Sequence, residues 1–256
     1  MTDRKGQNEV TYLNARPIRT AVIIVAAGRG RRLGTELPKQ YLPLSGTCAL
    51  RRSIERFLAV PGIDMIRAVI HSGDQDLYDA ATTNLSNPRL LPPAYGGSTR
   101  AATTLNGLVS LQDDSPDRVL IHDAARPFVS GDVIQRVMKA LDVSDGAFAG
   151  LPIVDAVWRT SNNTAEASVP RDGLWRAQTP QGFDFEKILA AHQSGKTDAA
   201  DDVAIAREAG MTVSAVLGCE ENYKITVAAD LERALKMLED EPIVQGASSE
   251  ALGESS

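Results

Sequence analysis

Apolar, β-branched residues run without alternation through Thr20-Ala-Val-Ile-Ile-Val-Ala26, a segment too short for a helix and patterned like a strand buried on both faces. Comparable runs recur at Met65 to His71, Arg118 to His122, Gly146 to Leu151 and Met211 to Leu217. Between them, apolar residues three and four apart predict helices over Ala49 to Val60, Gln75 to Leu85, Thr99 to Gln112 and Asp132 to Val143. Further helices are expected over Phe185 to Gln193, Asp201 to Ala209 and Asp230 to Leu238. Strands alternating with helices imply right-handed crossovers and a mostly parallel sheet with helices on both faces, a doubly wound α/β domain. Ile153 to Gly182 interrupts the alternation. There Ser161-Asn162-Asn163-Thr164 separates the short strand-like stretches Ala156 to Thr160 and Ala167 to Val169, so a β-hairpin arm inserted in the sheet domain is expected over about 153–182. A lone hairpin buries little surface, and the arm is expected to pack on a second subunit as a homodimer contact.

The termini carry no such pattern. Residues 1–18 and 243–256 are polar and rich in small residues, and are expected to be disordered tails around a domain spanning 19–242. That span of a 256-residue chain is long enough to build a core without metal or disulfide staples. Lys+Arg 27 against Asp+Glu 33 gives a net charge of -6, so no global positive field attracts nucleic acid or an anionic membrane. An anionic ligand therefore needs a local cluster of basic groups. No apolar run approaches the roughly 20 residues of a membrane span, and the N-terminus lacks the apolar stretch of a secretory signal. Cys48 and Cys219 have no ligand-like spacing and read as ordinary thiols of a cytoplasmic protein.

In an open parallel sheet, ligands lie beyond the carboxyl ends of the strands. After the first strand comes Ala26-Ala27-Gly28-Arg29-Gly30-Arg31-Arg32-Leu33-Gly34, followed by Pro38-Lys39-Gln40. Small residues admit a phosphate chain close to the backbone, and the arginines and lysine supply the local positive charge. Gly28-x-Gly30-x-x-x-Gly34 does not fit the dinucleotide fingerprint, and no Gly-Lys-Ser/Thr follows to make a P-loop. A plain βα turn with solvated arginines would use the same residues. After the Arg118 to His122 strand comes Asp123-Ala124-Ala125-Arg126-Pro127, whose carboxylate could hold Mg²⁺ or merely cap a turn and pair with Arg126. His71, His122 and His192 have no ligand spacing, and His122 is read as structural.

Seven motifs in order make a resemblance specific. They are Ala26-Ala27-Gly28-x-Gly30-x-Arg32, Pro38-Lys39-Gln40-Tyr41, Gly96-Gly97-x-x-Arg100 and His122-Asp123-Ala124-Ala125-Arg126-Pro127. Arg171-Asp172-Gly173-Leu174-Trp175, Gln178-Thr179-Pro180-Gln181 and Asn222-Tyr223-Lys224-Ile225-Thr226 complete the set. Together they resemble the 2-C-methyl-D-erythritol 4-phosphate cytidylyltransferase family of the non-mevalonate isoprenoid pathway, over about residues 20–238. The resemblance implies a Rossmann-like nucleotidyltransferase fold and a Mg²⁺-dependent reaction in which the sugar phosphate attacks the α-phosphorus of CTP and releases pyrophosphate. It implies catalytic roles for Arg32, Lys39, Arg171 and Lys224. It implies CTP binding by Ala26, Ala27, Gly28, Gly30, Gly97, Arg100, Thr103 and Asp123, with Asp123 also placing the metal. Arg126, Arg171, Thr179, Lys224 and Thr226 would bind methylerythritol phosphate, Arg171 reaching a partner subunit from the arm.

Each residue also has a plainer reading. Arg171 could be solvated, Thr179 a turn residue, Lys224 a surface partner of Glu220 and Glu221, and Thr103 a helix cap, while Trp175 and Phe183 are read as packing at the arm base. Two positions depart from the family pattern, Ala156 where a threonine is usual and Ser98 where an aspartate is frequent. In related fused proteins a cyclodiphosphate synthase follows this domain; here a tail is expected instead. Competing functions are a ribitol phosphate cytidylyltransferase, a nucleotide-binding regulatory module and, disfavoured by glycine spacing, a Rossmann dehydrogenase.

Overall fold

A computed structural model describes residues 16–29, 37–195 and 199–239. Among the described residues its central sheet has seven strands. The strands are β1 (Thr20–Ala26), β4 (Met65–Ile70), β5 (Ala94–Tyr95), β6 (Arg118–Asp123), β7 (Gly146–Pro152), β10 (Trp175–Asp184) and β11 (Val213–Leu217). β1 pairs in parallel with β4 and β6, β4 with β5, and β11 with β7, whereas β10 runs antiparallel between β6 and β7. The expected doubly wound α/β architecture is the observed one.

The unalternated apolar runs bury both strand faces. Val22 and Ile24 of β1 face α1 (Ala49–Leu58), α2 (Gln75–Thr82) and α4 (Gly131–Ala140), where Leu50, Phe57, Ile134 and Val137 fill one core. Ala21 and Ile23 face α3 (Arg100–Ser110), α5 (Phe185–Gln193) and α6 (Asp202–Glu208), packing with Leu108, Phe183, Ile188 and Ile205. A third cluster seats α7 (Ala228–Glu239) on Leu44, Phe128 and Ile225. Side-chain oxygens start four helices: Thr99, Ser130, Asp184 and Asp201 accept from backbone N–H groups three residues on. No helix among the described residues is long and apolar enough to cross a membrane.

The predicted arm is too long. Its hairpin consists of β8 (Val157–Ser161) and β9 (Thr164–Val169), joined by Asn162 and Asn163, both at positive φ. Residues 175–182 belong to the central sheet as β10. Pro180 and Gly182 disguise that strand, because proline cannot donate to a ladder; it is accommodated where the register against β7 shifts between Ala177 and Gln181. Phe183 is accordingly wholly buried in the main core, not at the arm base. A short hairpin, β2 (Pro43–Leu44) with β3 (Thr47–Cys48), and the edge strand β5 carry too few residues to show a period. Arg16, expected in the tail, is tied to Asp117 at 2.7 Å; residues 1–15 and 240–256 lie outside the described residues.

Candidate active site

Beyond the carboxyl ends of β1, β4 and β6 opens a cleft of about 770 Å³. β1 delivers Ala26, Ala27 and Gly28 to it, and among the described residues a Cβ added to Gly28 would meet nothing within 4 Å. The opposite wall is Gly96-Gly97 leading into α3. Glycine is required at 96, since a Cβ there would lie 2.5 Å from Ala27 Cβ and 2.9 Å from Thr103 Oγ1. Thr103 Oγ1 accepts from Gly97 N at 3.2 Å and donates to Thr99 O at 2.8 Å, fixing this loop.

Two lysines enter from other elements. Lys39 lies in a single 3₁₀ turn, Lys39–Tyr41, pinned beside β1 because Gln40 Nε2 donates to Ala26 O. Its Nζ donates to Ile225 O at 3.0 Å. Lys224, from the segment before α7, has its Nζ 2.8 Å from Asp123 Oδ2. Thr226 also lines the cleft, and its backbone N and hydroxyl both donate to Asp230 Oδ2 at 2.7 Å.

Asp123, at the end of β6, is the centre of the charge arrangement. Its side chain is 10% exposed and is approached by Lys224, by Arg100 Nε at 3.4 Å and by Arg126 Nε at 3.8 Å. Burial works to raise its pKa, but Lys224, Arg100 and Arg126 outweigh burial and hold the carboxyl well below the usual carboxylate range. A chain of bonds fixes it from beneath. Asp123 N donates to Thr179 Oγ1 at 3.1 Å, Thr179 Oγ1 lies 3.0 Å from His122 Nδ1, and His122 Nε2 lies 3.1 Å from Arg126 O. A carbonyl can only accept, which assigns the proton to Nε2 and makes Nδ1 the acceptor for Thr179. Burial lowers the His122 pKa to about 4, keeping the ring neutral, in keeping with a structural histidine.

The cleft thus gathers Ala26, Ala27, Gly28, Lys39, Gly97, Arg100, Thr103, Asp123, Lys224 and Thr226. Thr179 is not on its surface: at 3% exposure it supports Asp123 from behind. Arg126 also stands behind the lining, donating to Asn222 O at 2.7 Å. Arg171 lies on the exposed turn between β9 and β10 and donates to Val154 O, apart from the cleft. Gly30 and Arg32 lie outside the described residues.

Sequence reasoning missed three partners of this site. Arg29 pairs with buried Asp74 at 2.8 Å and meets His71 Nδ1 at 2.7 Å, anchoring the Gly28 segment to the loop after β4. Asn222, fully buried, donates to Thr179 O at 2.8 Å. Asp202 lies 2.8 Å from Arg100 Nη1, and with Asp123 it outweighs the burial that would otherwise lower the arginine's pKa. Arg29 and Asn222 stood in quoted motifs without a role of their own, and Asp202, in a pair of aspartates opening a helix, reads first as capping.

The family model for 2-C-methyl-D-erythritol 4-phosphate cytidylyltransferase matches residues 20–240. A bifunctional enzyme IspD/IspF of Paramagnetospirillum magneticum is 46% identical over 231 residues, covering 90% of this chain and 59% of that protein. The chain therefore spans about three fifths of that bifunctional relative. A 2-C-methyl-D-erythritol 4-phosphate cytidylyltransferase of Cereibacter sphaeroides is 43% identical over 86% of this chain and 96% of its own length. Among solved structures, 4-diphosphocytidyl-2C-methyl-D-erythritol synthase from Anaerococcus prevotii superposes with a TM-score of 0.76 at 25% identity, covering 87% of this chain and 97% of that one.

Proposed function

This chain belongs to the 2-C-methyl-D-erythritol 4-phosphate cytidylyltransferase family, and on that premise we propose that it joins CTP and 2-C-methyl-D-erythritol 4-phosphate. A phosphate oxygen of the acceptor forms a bond to the α-phosphorus of CTP, the bond from that phosphorus to the bridging oxygen breaks, and pyrophosphate leaves with the electron pair. The products are 4-diphosphocytidyl-2-C-methyl-D-erythritol and pyrophosphate. The observation that carries this reading is the convergence of Lys39, Lys224, Arg100 and Asp123 on a cleft that Ala27 and Gly28 also line.

Such a transfer needs positioning and charge neutralisation rather than a nucleophilic side chain. Lys39, held between β1 and Ile225, neutralises charge growing on the α-phosphate and the leaving pyrophosphate, with Arg32. Ala26, Ala27, Gly28, Gly97 and Thr103 form the nucleotide wall, and Gly30 is assigned to CTP binding by its motif alone. Lys224 and Thr226 face the acceptor, Arg126 and Thr179 hold Asp123 and Lys224 in register, and Arg171 acts from the arm of a second subunit. The exposed arm, with Trp158 56% exposed, supports a homodimer made through it.

The donor set suits Mg²⁺. Asp123 is the one carboxylate among the described residues lining the cleft, and no three His, Cys, Asp or Glu side chains gather there as a protein cage. Mg²⁺ commonly binds through one or two carboxylates together with substrate phosphates and waters. Bound by Asp123, it would offset charge on the nucleotide phosphates. The charge balance and the two thiols, Cys48 and Cys219, neither in a disulfide, support a cytoplasmic enzyme that binds neither nucleic acid nor membrane.

The test is pyrophosphate release from CTP and Mg²⁺ with methylerythritol phosphate, ribitol phosphate or no acceptor. Release with methylerythritol phosphate alone is expected. Release only with ribitol phosphate, or CTP binding without release, contradicts the proposal.

A further inference from the structure

A second carboxylate sits behind the cleft with no access to solvent. Asp202, the first residue of α6, is 0% exposed; its Oδ2 is 2.8 Å from Arg100 Nη1 and its Oδ1 is 3.2 Å from His192 Nε2. Among the described residues neither oxygen has an aligned hydrogen bond, so the close Arg100 guanidinium, with the His192 ring beside it, is what compensates its charge. Burying a carboxylate is costly unless it is compensated, which makes an unneeded one a liability. Capping does not explain it, because Asp201 already accepts from Ala204 N at 3.0 Å at the start of α6.

Arg100 joins the two carboxylates. Its Nη1 is drawn to Asp202 at 2.8 Å while its Nε stays 3.4 Å from Asp123, whose tighter partner is Lys224 at 2.8 Å. Without a charge at 202, Arg100 would have Asp123 as its remaining carboxylate partner and would close on it, competing with Lys224 and withdrawing from the nucleotide wall. We propose that Asp202 is a positioning residue, which with His192 holds the Arg100 guanidinium back from Asp123 and aimed into the cleft, and thereby sets CTP affinity. The inference rests on the cytidylyltransferase reading for the identity of the nucleotide.

The test is a double-mutant cycle read by calorimetric titration of CTP with Mg²⁺, using Asp202→Asn, Arg100→Met and the double variant. Asp202→Asn is expected to weaken CTP about tenfold, within the range of coupling between contacting charged residues, and to leave KM for methylerythritol phosphate within about twofold. In the Arg100→Met background the same substitution is expected to change CTP affinity less than about twofold. Equal losses in both backgrounds, or no loss in the single variant, overturn the proposal, since a residue serving only to stabilise the fold would not act through Arg100. Removing one partner of a buried pair can prevent folding. In that event Asp202→Glu, which keeps the charge and changes only its reach to Arg100, is titrated with CTP: weakened binding in a folded variant supports the proposal and wild-type affinity overturns it. Wild-type CTP binding without turnover would defeat the cytidylyltransferase reading alone, and failure to bind CTP would defeat both.

Discussion

The cleft and the arm are finished to very different degrees within one chain. At the cleft, Asp123 meets cations from three elements and its supporting threonine, histidine and asparagine are buried with defined partners. Along the arm, β8 and β9 bond to each other and leave nearly every side chain exposed, Trp158 included. A charge held in low dielectric by several partners keeps one geometry, whereas a two-stranded ribbon is marginal until something covers it. The difference separates what one chain can complete from what a second copy would have to supply.

Cleft substitutions should therefore alter chemistry without altering association. The largest expected effect is Lys39→Ala, which should fold normally yet lose roughly 10² to 10³ in turnover, as other preorganised electrostatic groups do. Steady-state kinetics on a variant with wild-type circular dichroism checks this, and near-wild-type turnover removes Lys39 from the mechanism. Arg171→Ala, on the arm, should lose about 10- to 100-fold if Arg171 makes a single charged contact with the acceptor. Mixing it with Lys39→Ala should restore activity through hybrid dimers if Arg171 acts across subunits; no recovery would confine its action to its own chain.

Asp123→Asn should destabilise the fold by about 3 kcal/mol, because it leaves Lys224, Arg100 and Arg126 facing one another around a lost buried partner. Denaturant unfolding measures that difference. A comparable loss of stability, spread over pH, comes from one histidine. His122 stays neutral in the fold down to about 4, while an unfolded histidine protonates near 6.5, so between those values the unfolded state binds more protons. Stability should fall with decreasing pH across that window, by at most about 1.4 kcal/mol per unit from this group. His122→Gln should flatten the slope. The smallest effect belongs to Asp145→Asn at the other end of the sheet, where the carboxylate meets Lys187 in solvent; turnover should stay within about twofold.

The parallel strands were legible because burial on both faces writes itself as unbroken apolar runs, and α5 was legible residue for residue because Asp184 caps an apolar period. β10 was hidden by Pro180 and Gly182, which local preference assigns to turns but which a register shift and close packing against Leu120 and Val137 accommodate. At the site, positions adjoining strand ends were readable from the topology rule for open sheets. Asp202, His192 and Asn222 were not, since their meaning depends on contacts between elements far apart in sequence. Thr179 illustrates the limit: its motif marked it for the site, while only the structure places it under Asp123.

The central claim is that this cleft transfers a cytidylyl group, and the most direct measurement follows the phosphorus that moves. Reactions with methylerythritol phosphate and Mg²⁺ are run in parallel with CTP labelled at the α- or at the γ-phosphorus, and products are separated. α-Label is expected in the cytidine diphosphate conjugate and γ-label in pyrophosphate. γ-Label appearing on the sugar phosphate, or α-label remaining wholly in free cytidine nucleotides, would contradict it.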